Sequence, residues 1–169
     1  MLGLGLLACQ TVTGVAKSIT LTSAAFTNGG TIPSTYTCSG ANISPPLSWS
    51  GVPNGTRSLA VTVIDPDAPV KTFVHWLIFD LPASATGLPE AVPPGKVLPD
   101  GSRQGRNDFN IDGYGGPCPP LGPAHHYHFT VYALSATVAL SGGVRQPAFE
   151  DAIQGHVLAM GKLVGTFGR

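Results

Sequence analysis

The sequence predicts a mostly-β domain with mainly antiparallel strands and one packed helix. Three observations carry this. Apolar runs of strand length recur along the chain, at Leu59–Ile64, Phe73–Phe79 and Tyr127–Leu134. Glycine (22) and proline (16) are frequent but spread between those runs as turn punctuation, without forming a repeat. Helical spacing over many residues occurs in one place, near the end of the chain. Strands that follow one another across turns pair mainly antiparallel.

Taken in order, the residues justify each element. Ile19, Leu21 and Phe26 give a first strand pattern, closed by the turn signal Asn28-Gly29-Gly30. Thr35-Tyr36-Thr37-Cys38 is β-prone until Ser39-Gly40-Ala41-Asn42 breaks it. Pro45-Pro46-Leu47-Ser48-Trp49-Ser50 predicts a short strand with Leu47 and Trp49 on one face. Two central strands follow near 58–64 and 73–80, each apolar at alternate positions on both faces and so buried on both. Pro82 to Pro120 reads as one long excursion, a length usually reserved for functional or covering segments. Tyr127–Leu134 is the clearest late strand, and Val138–Leu140 adds a short one. A helix is predicted over 147–161, with Phe149, Ala152, Ile153, His156, Val157 and Met160 on one face. Pro147 suits its first position, while Glu150, Asp151 and Lys162 suit its dipole. Leu163–Phe167 closes the chain as a final strand.

The totals bound the function. A chain of 169 residues suits one domain with a sizeable core. Its 43 % apolar content argues against disorder. Only 11 % of residues are charged, with nine basic and nine acidic, and no basic stripe of the kind nucleic acid requires. Residues 1–17 form an N-terminal segment whose first eight residues are apolar and uncharged, and in it Leu6-Leu7-Ala8-Cys9 resembles the lipobox of bacterial lipoproteins. That start reads either as the remnant of an export signal or as an apolar tail, and the domain proper is expected over 18–169. The export reading places the protein in a bacterial envelope or periplasm, with membrane attachment only if Cys9 is lipidated. Cys38 and Cys118 then remain either as a bridge, which an oxidising compartment permits, or as buried thiols.

The densest local signal is Asp65-Pro66-Asp67-Ala68-Pro69, directly after the first central strand. Its prolines end the strand and hold two carboxylates in a rigid turn. The next strand brings His75 back to the same end of the sheet if the two runs pair as a hairpin. Both aspartates also have a plain reading, as turn residues that accept backbone N–H groups, and Asp67 fits it better. A histidine on an apolar strand is commonly a satisfied core residue, and His156 falls on the buried stripe of the predicted helix. Trp49 and Trp76 read as core.

Four segments in order resemble the phosphatidylethanolamine-binding protein family, also called Raf-kinase-inhibitor-like proteins. They are Asp65-Pro66-Asp67-Ala68-Pro69, Val74-His75-Trp76, Gly113–Pro120 and His125-His126-Tyr127-His128-Phe129. Tyr36-Thr37-Cys38, Pro45–Trp49, Asn107-Asp108-Phe109 and Gly155-His156 agree, and the resemblance looks closest to the family's bacterial branch. It implies a β-sandwich with a shallow anion-binding pocket at one end, needing no cofactor. It places Asp65, His75, His125 and Tyr127 in that pocket and makes Gly116, Pro117, Pro119 and Pro120 its wall. Phe73 stands where the family often has Trp, Asn110 where bacterial members often have glycine, and His126 where many have arginine. The implied ligand is a phosphate, phospholipid headgroup or carboxylate, and the implied activity is regulation or inhibition of a kinase or protease. On physical grounds, Asp65 is expected to hold His75 in one tautomer and favour its charged form.

Two other chemistries compete. His125, His126 and His128 with two aspartates are metal-ligand stock, but His126 and His128 face away from His125 on a strand. The acidic partner of a His-x-His metal pair is missing too, since residues 132 and 133 are Tyr and Ala. Asp with His also suggests a hydrolase or other acid–base enzyme. No nucleophile motif accompanies them; Gly-x-Ser-x-Gly is absent, and Cys118 between prolines is the nearest candidate thiol. The expectation is therefore a binding module that is not an enzyme. Oligomeric state is not legible.

Overall fold

The structure is a computed structural model and describes residues 17–169. The lipobox-like stretch and Cys9 lie outside the described residues. Among the described residues, nine strands form two sheets. β1 (Lys17–Ser18), β4 (Ser58–Asp65), β5 (Phe73–Pro82), β7 (Arg103–Gln104), β8 (His125–Leu134) and β9 (Val157–Phe167) make a six-stranded sheet in the order β1-β9-β8-β4-β5-β7. β2 (Thr20–Thr22), β3 (Leu47–Ser50) and β6 (Gly87–Leu88) make the second sheet, in the order β2-β3-β6. All pairings between these strands are antiparallel except that of β1 with β9. A single short helix, α1 (Gln146–Ile153), lies between β8 and β9.

The apolar alternation of β4 explains the layering. Leu59, Val61 and Val63 point inward, into a core shared with Leu21, Leu47 and Trp49 of the small sheet. Ala60 points outward, into a second core with Leu77, Phe79, Phe149 and Ile153 beneath α1. A strand sandwiched in this way needs apolar residues on both faces, as its sequence has. Full burial of Phe149 contributes about 2 kcal/mol and anchors α1. Trp49 and Trp76 are both buried, and their ring N–H groups donate to Ala85 O and Gln104 Oε1.

Four expectations need correction. The helix ends at Ile153, not at 161, because Gly155 takes φ 75° and the chain re-enters the sheet as β9. The last strand consequently starts at Val157, and His156 is exposed rather than on a buried stripe. Ser34–Tyr36 is a 3₁₀ turn closed by Tyr36 N–H to Pro33 O and Thr37 N–H to Ser34 O, so no strand forms there. Val138–Leu140 is irregular and forms no strand, with Val138 N–H donating to the Asp80 carboxylate. The long excursion from 82 to 120 is confirmed, interrupted only by the two-residue strands β6 and β7.

Candidate functional site

The β4–β5 hairpin pairs Asp65 with Phe73, and β8 begins alongside at His125. The end of β4 and the starts of β5 and β8 therefore meet at one end of the large sheet. Alternation along β5 sends Phe73 and His75 to the same face, and along β8 it does the same for His125 and Tyr127. A cavity of about 140 Å³ opens there. Asp65, His75 and His125 form its polar floor, Phe73 and Phe109 one side, and Ala68, Pro69, Cys118, Pro119 and Pro120 the remaining wall.

Asp65 does not hold His75, as was expected from sequence. Its Oδ2 lies 2.7 Å from Nδ1 of His125, and its Oδ1 accepts the N–H of Asp67 at 2.8 Å. The second bond is the turn-residue role that the motif allowed, carried by Asp65 rather than by Asp67 alone. Asp67 straps the turn to β8: its Oδ2 accepts the backbone N–H of His126 and lies 2.7 Å from the ring Nδ1. That histidine side-chain bond holds the Asp67 carboxyl below its ordinary range.

His75 takes its orientation from the backbone. Its Nδ1 is 2.7 Å from Gly115 O, and a carbonyl can only accept, so the ring hydrogen sits on Nδ1. The side chain is buried among Phe73, Phe109 and Tyr127, with ring centroids 5.1 to 5.4 Å away. Burial pushes its proton affinity below that of a free imidazole, against the pull of the Gly115 carbonyl and the Asp65 charge. Tyr127 packs edge-on against His75 rather than in the cavity lining. Its hydroxyl is buried without a hydrogen-bond partner among the described residues, and burial pushes its acidity down (the pKa up).

Of the four expected wall residues, Pro119 and Pro120 line the cavity. Gly116 and Pro117 are not in its lining and instead bond to the 38–42 segment. A Cβ on Gly116 would collide with Tyr36 O and the Asn42 side chain, and Gly116 N–H donates to Asn42 Oδ1 at 2.8 Å. Pro117 O accepts from Cys38 N at 3.0 Å, and Cys38 is bridged to Cys118 with Cα atoms 5.4 Å apart. The cysteines are therefore a bridge, not the two buried thiols that were the alternative.

Two features were not read from sequence as parts of the site: the Gly115 carbonyl, and the Asn107–Gly113 loop that brings Phe109 over His75. Asn107 is buried and organises this loop. Its Oδ1 accepts from Phe109 N and Ile111 N, and its Nδ2 donates to His75 O and Gly113 O. Asn110 adopts φ 63°, the left-handed region that asparagine tolerates better than most residues. This accounts for Asn at a position where glycine is common. Among the described residues no three His, Cys, Asp or Glu side chains converge as a metal-ligand group.

The ordered motifs converge on one cavity in this two-sheet frame, and residues 22–168 match the phosphatidylethanolamine-binding protein family. The chain belongs to that family. A UPF0098 protein of the archaeon Methanothermobacter thermautotrophicus is 52 % identical over 145 residues, covering 86 % of this chain and 95 % of the relative. The solved structure of YbcL from Escherichia coli, a member of the family, superposes with a TM-score of 0.84 at 35 % identity, covering 90 % of this chain and 99 % of YbcL. The family homologue CT736 from Chlamydia trachomatis superposes with a TM-score of 0.82, also at 35 % identity and covering 90 % of this chain and 99 % of CT736. Sequence relatives thus include archaeal as well as bacterial proteins.

Proposed function

We propose that this protein binds a small anion in the Asp65–His75–His125 cavity: a phosphate, a phospho-headgroup or a carboxylate. The observation that carries the reading is His75, a buried, cavity-lining imidazole with Nδ1 taken by Gly115 O and one ring nitrogen uncommitted, beside His125 in the same lining. Buried polar groups are ordinarily satisfied, so an uncommitted nitrogen at an open cavity favours a ligand that completes it. The cavity volume of about 140 Å³ suits a headgroup-sized anion.

A binding role is favoured over catalysis. Among the described residues no Ser, Thr or Lys lines the cavity, and the sulfur of Cys118 is committed to the bridge with Cys38. Regulation of a kinase or protease follows as a use of the same pocket, which then takes a phosphorylated side chain or a terminal carboxylate of its partner. A pull-down from native lysate with wild type and Asp65→Ala tests that use; partners retained equally by both proteins would count against it.

Calorimetric titration with phosphate and phosphoethanolamine tests the reading itself. Wild type is expected to bind. His75→Ala removes a group from the anion, at about 1.5 kcal/mol or more for a bond to a charged ligand. It is therefore expected to weaken binding roughly tenfold or more. Equal affinities in the two proteins would sink the proposal.

A further inference from the structure

We propose that anion capture in this cavity is coupled to the uptake of one proton at Nε2 of His75. This coupling rests on the anion-binding reading above and adds a condition that the reading alone does not contain.

The geometry imposes the condition. Gly115 O claims the hydrogen of Nδ1, so a neutral His75 offers a lone pair at Nε2. The ring's hydrogen bond among the described residues runs through Nδ1, and the Gly116 backbone also favours its protonated form. The charged and titratable groups around His75 are Asp65 at the end of β4, His125 and Tyr127 on β8, and Asp108 in the loop before β8. Phe73 and Phe109 cover the rest of the ring. An oxyanion entering this site meets a lone pair beside the Asp65 carboxylate, and both repel it. Adding one proton to Nε2 converts the acceptor into a charge-assisted donor and turns repulsion into an ion pair.

Burial makes the two events interdependent. His75 is 2 % exposed, so the imidazolium alone is disfavoured. An anion alone is disfavoured by the same dry surroundings. Each compensates the other, and linkage then requires the anion to raise the proton affinity of His75 by the factor by which the proton raises anion affinity. His125 differs in that its Nδ1 is paired with the Asp65 carboxylate at 2.7 Å rather than with a backbone carbonyl.

Sulfate is the probe, because its charge is constant from about pH 5 to 8, across the range in which histidine titrates. Calorimetry of sulfate binding to the full chain, at about pH 5.5, 6.5 and 7.5, reads the affinity. Repeating the highest pH in two buffers of different ionisation enthalpy counts protons. The expected result is uptake close to one proton and a loss of roughly tenfold in affinity per pH unit on the alkaline side. In His75→Asn, residual binding is expected to lose this pH dependence. Long-range nitrogen–proton NMR of the wild-type ring needs no variant to fold. It is expected to show the Nδ1–H neutral form without sulfate and the imidazolium with it.

Sulfate binding without proton uptake would overturn the coupling and leave the anion reading standing. Uptake that persists in His75→Asn, or His75 nitrogen shifts unmoved by saturating sulfate, would overturn the assignment to His75. An absence of binding at every pH, with phosphate as with sulfate, would remove both readings together.

Discussion

His75 concentrates the site's electrostatics in one side chain, and its consequence for stability has a definite sign. In the unfolded chain it titrates near the ordinary value of about 6.5. In the folded chain burial lowers its proton affinity, so the unfolded state binds a proton that the folded state resists. Its contribution to stability is complete above about pH 6.5 and is lost as pH falls from there towards the folded value. Wild type is therefore expected to unfold at a lower temperature near pH 5.5 than near pH 7.5. His75→Phe, which keeps an aromatic ring between Phe73, Phe109 and Tyr127, is expected to show a smaller difference. His128 is shifted in the same direction by its own burial, so some slope remains. Melting curves by circular dichroism at the two pH values measure this, and an identical slope in the variant would contradict it. At this scale the sequence was informative about which side chains gather and silent about how they bond. Asp65 and His75 were legible because a hairpin returns one to the other's end of the sheet, and His125 was legible through the family resemblance. Their partners were not, because Gly115 O reaches His75 across 40 residues and no local pattern announces a carbonyl.

The misread helix shows what limits inference at the level of an element. Phe149, Ala152, Ile153, His156, Val157 and Met160 have helical spacing, yet only Phe149 and Ile153 among them are buried in the structure. The alternation of the first half of β9 was hidden because Ala159 and Gly161 occupy its inward positions, with Gly161 against Ile19. Small residues there permit close approach but leave no large apolar side chain before Leu163 to mark a period of two. Gly155 was the available signal. Its φ of 75° ends α1, and a Cβ added there would meet nothing within 4 Å. The cost of Gly155→Ala is therefore backbone strain alone, about 1–2 kcal/mol of destabilisation. In a helix running through this position the same change would stabilise by about 1 kcal/mol. Urea denaturation of the variant distinguishes the two by sign.

For the molecule as a whole, a mostly antiparallel β fold was legible in the apolar patterns of β4, β5 and β8, and the two-sheet arrangement through the family resemblance. The seating of the proline wall was not, since it depends on contacts between segments far apart in the chain. The Cys38–Cys118 bridge, with a sequence separation of 80 residues, joins the 3₁₀ turn to the cavity wall and restrains most of the domain between its ends. By chain-entropy reasoning a loop of that length stabilises the folded state by about 4 kcal/mol. This is a large share of the roughly 5–15 kcal/mol typical of a domain. Reduction by a dithiol, or the double change Cys38→Ser with Cys118→Ser, is expected to lower the urea midpoint accordingly. It is also expected to weaken phosphate binding, because Cys118, Pro119 and Pro120 form one wall of the cavity. The two effects separate by measurement: unfolding reads the loop, and calorimetry well below the midpoint reads the wall. A lower midpoint with unchanged phosphate affinity would mean that Cys38 N–H to Pro117 O and Gly116 N–H to Asn42 Oδ1 suffice to seat the wall, leaving the bridge a purely global restraint.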